Sequence, residues 1–284
     1  MGSKIAATTR LGYVRLTVPD LNRAVKFYEE IIGMKTRARK NGVAFLGAGK
    51  EDLLVLKENP EAKRTRGTSG LYHFAILTPS RRDLARSLHR LAETQTPVEG
   101  FADHLVSEAI YLPDPDGNGI EIYRDRPRDE WQFQNGTLKM AADPLDLDGI
   151  REELRAEDKT WRGLDAATIL GHMHLHVAQI APAQEFYVNV LGFDLVMRYG
   201  PSAAFVSAGG YHHHLGFNTW AGIGAPPPPR DAVGLDYWVV RVPDARELGK
   251  IADRIQNAGV KVEETEEGLL ARDPSQNAVV ITDR

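Results

Sequence analysis

An α+β fold of four repeated βαβββ modules, forming two cup-shaped incomplete barrels, is what the 284-residue sequence predicts. Three observations carry that prediction. Leu11–Gly49 aligns almost without gaps on Leu170–Gly209, LGYVRLTVPDLNRAVKFYEEIIGM against LGHMHLHVAQIAPAQEFYVNVLGF. A second pair aligns as well, GLYHFAILTPSRRDLARSLHRLAE closing on DPDGNGIEIYRD against GLDYWVVRVPDARELGKIADRIQNAG closing on DPSQNAVVITD. Each unit opens on an alternating, β-branched run, continues with apolar residues spaced by three and four, and ends in short runs cut by Gly, Asp and Pro.

In the first module the opening run reads as a strand. Leu21, Ala24, Val25, Phe27, Tyr28 and Ile31 then give a helical stripe that Gly33 stops, and three short strands follow. The same pattern places modules at 10–58, 70–125, 168–220 and 233–284, so that 1–125 and 168–284 form two halves. Residues 126–167 break the pattern and form the connector. It is polar and turn-rich, with a short helix expected at GIREELRAE, and it is long enough for modules to pair out of sequence. A curved sheet with one helix on its outer face leaves a concave face open, so modules are expected to pair around cups.

Composition narrows the function classes. With no cysteine, disulfides, thiolate metal sites and cysteine nucleophiles are excluded, and any metal must be held by nitrogen and oxygen. A net charge of −4 with no basic stripe argues against a nucleic-acid partner. The N-terminal MGSKIAATTRLGYV lacks an apolar signal region, and no long uncharged apolar run occurs, so a cytoplasmic protein with no membrane partner is expected. Monomer and homo-oligomer both remain open.

The LG(H/Y)xxLxV opening, the FY…LGF helix end and the DPDGNGIEIY closing hairpin resemble the vicinal oxygen chelate superfamily over nearly the whole chain. Its extradiol, catechol-2,3-dioxygenase branch is the nearest in pattern. The resemblance implies metal ligands on the opening strand and in the middle of the last strand of a module. The opening positions are Tyr13, His73, His172 and Tyr237, and the closing positions of the second and fourth modules are Glu121 and Val280. Sequential pairing would leave two poor sites. Pairing module 2 with 3 and 1 with 4 collects His73, Glu121 and His172 in one cup and leaves Tyr13, Tyr237 and Val280 in the other. Two histidines and one carboxylate suit iron(II), or manganese(II) with the same ligands, and dioxygen as co-substrate.

The same resemblance implies acid–base and hydrogen-bonding groups around the metal. His213 in HHHLGF is the expected acid–base residue, with His212 and His214 sent to the opposite face by strand alternation. In a glyoxalase-like alignment His214 would instead be a fourth ligand. His104 and Tyr111 are the expected partners of substrate. Taken alone, a histidine on a strand is more often surface or a satisfied core residue. His174 and His176 share a face with His172, His89 is expected to be exposed, and Phe74, Phe217 and Trp220 are read as packing before substrate contact. The function implied is ring cleavage of a small aromatic vicinal diol. A glyoxalase or isomerase, and a metal-free drug-sequestering protein, are the alternatives. The pattern departs from two-domain extradiol enzymes, which keep the site in the last two modules.

Overall fold

The computed structural model describes residues 4–155, 158 and 160–284. Module 1 comprises β1 (Arg10–Val18), α1 (Leu21–Phe27), β2 (Lys35–Lys40), β3 (Val43–Gly47) and β4 (Leu54–Glu58). Module 2 comprises β5 (Gly70–Leu77), α2 (Arg81–Glu93), β6 (Gly100–Asp103), β7 (Ser107–Pro113) and β8 (Gly119–Asp125). The connector holds a short hairpin, β9 (Phe133–Gln134) with β10 (Thr137–Leu138), and α3 (Leu147–Glu152). Module 3 comprises β11 (Ile169–His176), α4 (Ile180–Gln184), β12 (Asp194–Tyr199), β13 (Ala203–Ser207) and β14 (Leu215–Asn218). Module 4 comprises β15 (Gly234–Arg241), α5 (Ala245–Asn257), β16 (Val262–Glu264), β17 (Leu269–Arg272) and β18 (Ala278–Thr282).

Two eight-stranded sheets carry these modules, in the orders β16-β17-β18-β15-β1-β4-β3-β2 and β12-β13-β14-β11-β5-β8-β7-β6. Modules 1 and 4 therefore share one sheet, and modules 2 and 3 the other, as the distribution of donors along the chain predicts. Among the described residues no helix is long and apolar enough to cross a membrane.

The described residues divide into two compact units, 18–61 with 73–170, and the segments up to 17, 62–72 and 171–284. In the first unit, the Asp20 side chain accepts from Arg23 N–H and starts α1. The helix then widens over Tyr28–Ile32, where Gly33 N–H bonds back five residues to Tyr28 O at 2.9 Å. That extra residue moves the apolar stripe by one position. Tyr28 and Ile32 are buried while Phe27 and Ile31 are half-exposed, which corrects the regular 3.6-residue stripe expected from the sequence. Gly33 closes the turn at φ 89°, a conformation that favours glycine.

Tyr28 donates its hydroxyl hydrogen to Asp114 Oδ2 at 2.8 Å, and Asp114 also accepts from the Asp116 and Asn118 backbone N–H groups. The helix of module 1 is thereby tied to the closing turn of module 2. In the second unit module 3 repeats the widened helix, with Leu191 N–H bonding Phe186 O, and Tyr187 donates to Asp273 Oδ2 in the closing turn of module 4.

Candidate metal centre

In the first unit, β5 runs parallel to β8, with Ala75 opposite Glu121, and β7 runs antiparallel to β8, with Tyr111 opposite Glu121. Residues of like parity point to one face of a sheet. His73, Glu121 and Tyr111 thus share a face, lined nearby by the small side chains of Ala75 and Ala109. His73 Nε2 lies 3.0 Å from Glu121 Oε2, and both residues are buried, Glu121 to 2 % exposure. The ring centroids of His73 and Tyr111 are 5.5 Å apart. A carboxylate buried on an apolar strand costs several kcal/mol unless a cation or hydrogen-bond donors compensate. A metal ion at this pair fits that requirement, and the nitrogen and oxygen donors fit an ion of the iron(II) or manganese(II) kind.

His104 opens the turn between β6 and β7. Leu105 stands at φ 67°, a strained conformation for a side-chain-bearing residue, and its N–H is held by Asp103 Oδ1. His104 Nε2 is 2.6 Å from Tyr111 Oη, and its Nδ1 is 2.6 Å from the Ala141 carbonyl oxygen. His104, Tyr111, His73 and Glu121 therefore cluster within one unit.

In the second unit His172 lies buried on β11, which runs parallel to β14 with His174 opposite Gly216. A Cβ at Gly216 would come within 3.1 Å of the His174 ring and of Phe205, so a side chain there would press on that ring. The three consecutive histidines precede β14 and lie outside any strand, which corrects the alternation expected for them. As a consequence His212 and His213 are both buried and both approach His172, with ring centroids 6.1 and 4.2 Å from it. Their Nδ1 atoms are 2.8 Å apart, so one donates to the other. His214 instead accepts the Ala208 N–H at its Nδ1, closing the β13–β14 loop.

From His213 a chain of rings continues along this face through Phe205, His174 and Trp220 to Tyr72, with successive centroid separations of 5.0, 5.6, 5.5 and 5.3 Å. His174 and His176 are both tied to Asn218, through its Nδ2 and Oδ1 atoms. Phe74 and Phe217 are fully buried core residues, whereas Trp220 is 49 % and Tyr72 38 % exposed. His89 is half-exposed on α2. Sequence reasoning missed the ring chain, because its members come from four separate segments with no common spacing.

The other sheet places Tyr13, Tyr237 and Val280 together in an apolar cluster with Val239 and Ala278. Arg15 Nη1 donates to Tyr237 Oη at 3.1 Å, and its guanidinium pairs with Asp236 at 3.2 Å. Burial, and then the hydrogen bond with Tyr237, push the Tyr13 phenol well above the ordinary phenol range. This cluster offers phenols and a cation where the other sheet offers imidazoles and a carboxylate.

The fold and these donors define a class. The model of the glyoxalase/bleomycin resistance protein/dioxygenase superfamily matches residues 10–122 and 169–281, and the chain belongs to that superfamily. Among its relatives, a catechol-2,3-dioxygenase of Bacillus subtilis is 47 % identical over 283 residues, covering 98 % of each chain. A biphenyl-2,3-diol 1,2-dioxygenase of Rhodococcus globerulus is 27 % identical over 46 % of this chain and 73 % of its own. In fold, the chain is similar to glyoxalase I from Zea mays, with TM-score 0.60 and 17 % identity over 96 % of this chain and 92 % of that one. It is also similar to a Bacillus subtilis protein provisionally called a dioxygenase, with TM-score 0.67 and 14 % identity over 99 % and 86 %.

Proposed function

We propose that this chain is an extradiol ring-cleaving dioxygenase that inserts both atoms of dioxygen into a catechol-type aromatic diol, using one iron(II) or manganese(II) ion held by His73, Glu121 and His172. The observation that carries the reading is a buried Glu121 carboxylate 3.0 Å from His73 Nε2, in a chain that matches a catechol-2,3-dioxygenase from end to end. His73, Glu121 and His172 are all buried, and each offers one donor atom. Two imidazoles and a carboxylate leave coordination positions open for substrate and oxygen. When bound, the ion supplies the Lewis-acid and redox chemistry that couples diol to dioxygen.

The chain's own residues orient the substrate and manage protons. Ala75 and Ala109 keep the face beside Glu121 low, which leaves room for a flat ring. His213 is the acid–base residue of this reading, because it is buried, packs on His172 and has a neighbouring imidazole with which to share a proton. His104 and Tyr111 form a polar pair on the Glu121 side, placed to hydrogen-bond a substrate oxygen. The engagement of His214 by Ala208 speaks against a fourth ligand there.

The test is anaerobic loading of the protein with iron(II), addition of catechol, then admission of labelled dioxygen. A yellow ring-opened product carrying both labelled atoms is the expected result. Hemithioacetal isomerisation without diol cleavage would move the assignment to a glyoxalase-type enzyme. Tight binding of an aromatic ligand with no metal uptake would move it to sequestration.

A further inference from the structure

We propose that the connector between the halves is part of the catalytic apparatus, because the Ala141 carbonyl fixes the tautomer and orientation of His104 and thereby the direction of the His104–Tyr111 hydrogen bond. The inference rests on the assignment of His104 and Tyr111 to the site.

Asp103 and Asp143 exchange backbone hydrogen bonds, each N–H to the other's carbonyl at 2.9 Å, so the connector joins the end of β6 as a one-pair strap. Pro144 follows Asp143 and holds it extended, the conformation such a strap needs. Arg126 Nη2 anchors the Asp103 side chain at 2.7 Å. Thus fastened, Ala141 presents its carbonyl oxygen to His104 Nδ1 at 2.6 Å. A carbonyl only accepts, so Nδ1 carries the hydrogen. In the neutral ring Nε2 is then a lone pair, and the contact at 2.6 Å is a bond donated by the Tyr111 hydroxyl. The strap selects the tautomer that a free histidine side chain disfavours, and with its hydrogen directed to His104 the Tyr111 hydroxyl can only accept from a substrate hydroxyl. The strain at Leu105, next to His104, is consistent with a turn held in place for this purpose.

Two-bond nitrogen–proton correlation NMR on the full chain with isotope-labelled histidine, at a pH well above the ordinary imidazole pKa of about 6.5, reads the protonated nitrogen of each ring. Loss of a signal in His104→Gln assigns it. The wild type is expected to show His104 protonated at Nδ1, and Tyr111→Phe to retain that pattern, because Ala141 and not Tyr111 sets it. Asp143→Pro removes one of the two N–H groups of the Asp103–Asp143 pair that fastens the strap. It is expected to return His104 to a mixture with Nε2–H and to lower kcat for catechol about tenfold, a part of the ~10²–10⁴ that placed acid–base groups contribute, with little change in KM. An Nε2–H ring in the wild type, an unchanged tautomer in Asp143→Pro, or a flipped one in Tyr111→Phe would each overturn the proposal. The tautomer is read without turnover. An inert protein with the Nδ1–H pattern would reject the dioxygenase reading while leaving the hold of Ala141 on His104 established.

Discussion

The Tyr187 hydroxyl donates to Asp273 Oδ2 across 2.9 Å in a fully buried setting, where the carboxylate also accepts from the backbone of Ser275 and Asn277 and from the Asn277 side chain. Burial raises the Asp273 pKa above the ordinary carboxylate range, and these donors pull it back only in part. The folded state therefore holds a proton on Asp273 at pH values where the unfolded chain has released it. Stability contributed by that proton is present below about pH 3.9, the unfolded value, and is lost as pH rises toward the folded pKa. Tyr187→Phe removes one donor, raises that pKa further, and is expected to cost about 1–3 kcal/mol near neutral pH. Urea unfolding across pH checks this, with the smallest wild-type-to-mutant gap at acid pH and a growing gap as pH rises. A gap independent of pH would detach Tyr187 from Asp273.

The metal reading makes a stability prediction independent of turnover. An ion bound to the folded chain stabilises it by about 2.7 kcal/mol at a hundredfold excess over Kd. Manganese(II) should raise Tm in the wild type, and the rise should be absent from Glu121→Gln, where a neutral amide replaces the carboxylate that lies 3.0 Å from His73 Nε2. His172→Ala should lose the same response. A Tm rise preserved in both variants would place the ion elsewhere.

The exposed end of the ring chain makes a prediction about selectivity. Trp220 Nε1 donates to Ser202 Oγ at 3.3 Å, and the ring packs edge-on against Tyr72 with planes at 88°. Residues that follow one another on one face of a strand are about 6.8 Å apart, so the His174 ring, one such step beyond His172, stands between a diol bound at His172 and Trp220, whose ring centroid is 5.5 Å from that of His174. Only a ring substituent would reach Trp220. Trp220→Ala is expected to lower the ratio of kcat/KM for substituted over unsubstituted catechol by about tenfold, the size of one aromatic pair contact. Equal losses for both substrates would make Trp220 a packing residue only.

Much of this architecture is legible in the sequence because it is repeated there. Four openings and four closings could be compared within one chain, and the contrast between His73, Glu121 and His172 and their counterparts Tyr237, Val280 and Tyr13 pointed to the observed sharing of sheets. What escaped has no periodic signature. The widened turn at Tyr28–Ile32 shifts the buried face through a single five-residue hydrogen bond, which no hydrophobic pattern announces. The His212–His214 run reads as strand by continuity with LGFN, yet the Ala208 bond to His214 keeps it in a loop. The hold of Ala141 on His104 joins residues 37 apart through a backbone carbonyl, which every residue possesses.

The sheet of modules 1 and 4 makes the last prediction, on stoichiometry. Tyrosine can ligate a metal as phenolate, which makes Tyr13 and Tyr237 the test case for a second site. Ionisation of Tyr13 is opposed by burial and by its contact with Tyr237, 3.3 Å between hydroxyl oxygens. Val280 supplies no donor, and the Arg15 guanidinium 5.4 Å from the Tyr237 ring centroid repels a divalent cation. Metal analysis of tag-free protein should therefore approach a single ion per chain, and Tyr237→Phe should leave that value unchanged while His73→Ala removes it. Two ions per chain, one of them lost in Tyr237→Phe, would show that the phenols bind metal despite the half-buried cation beside them.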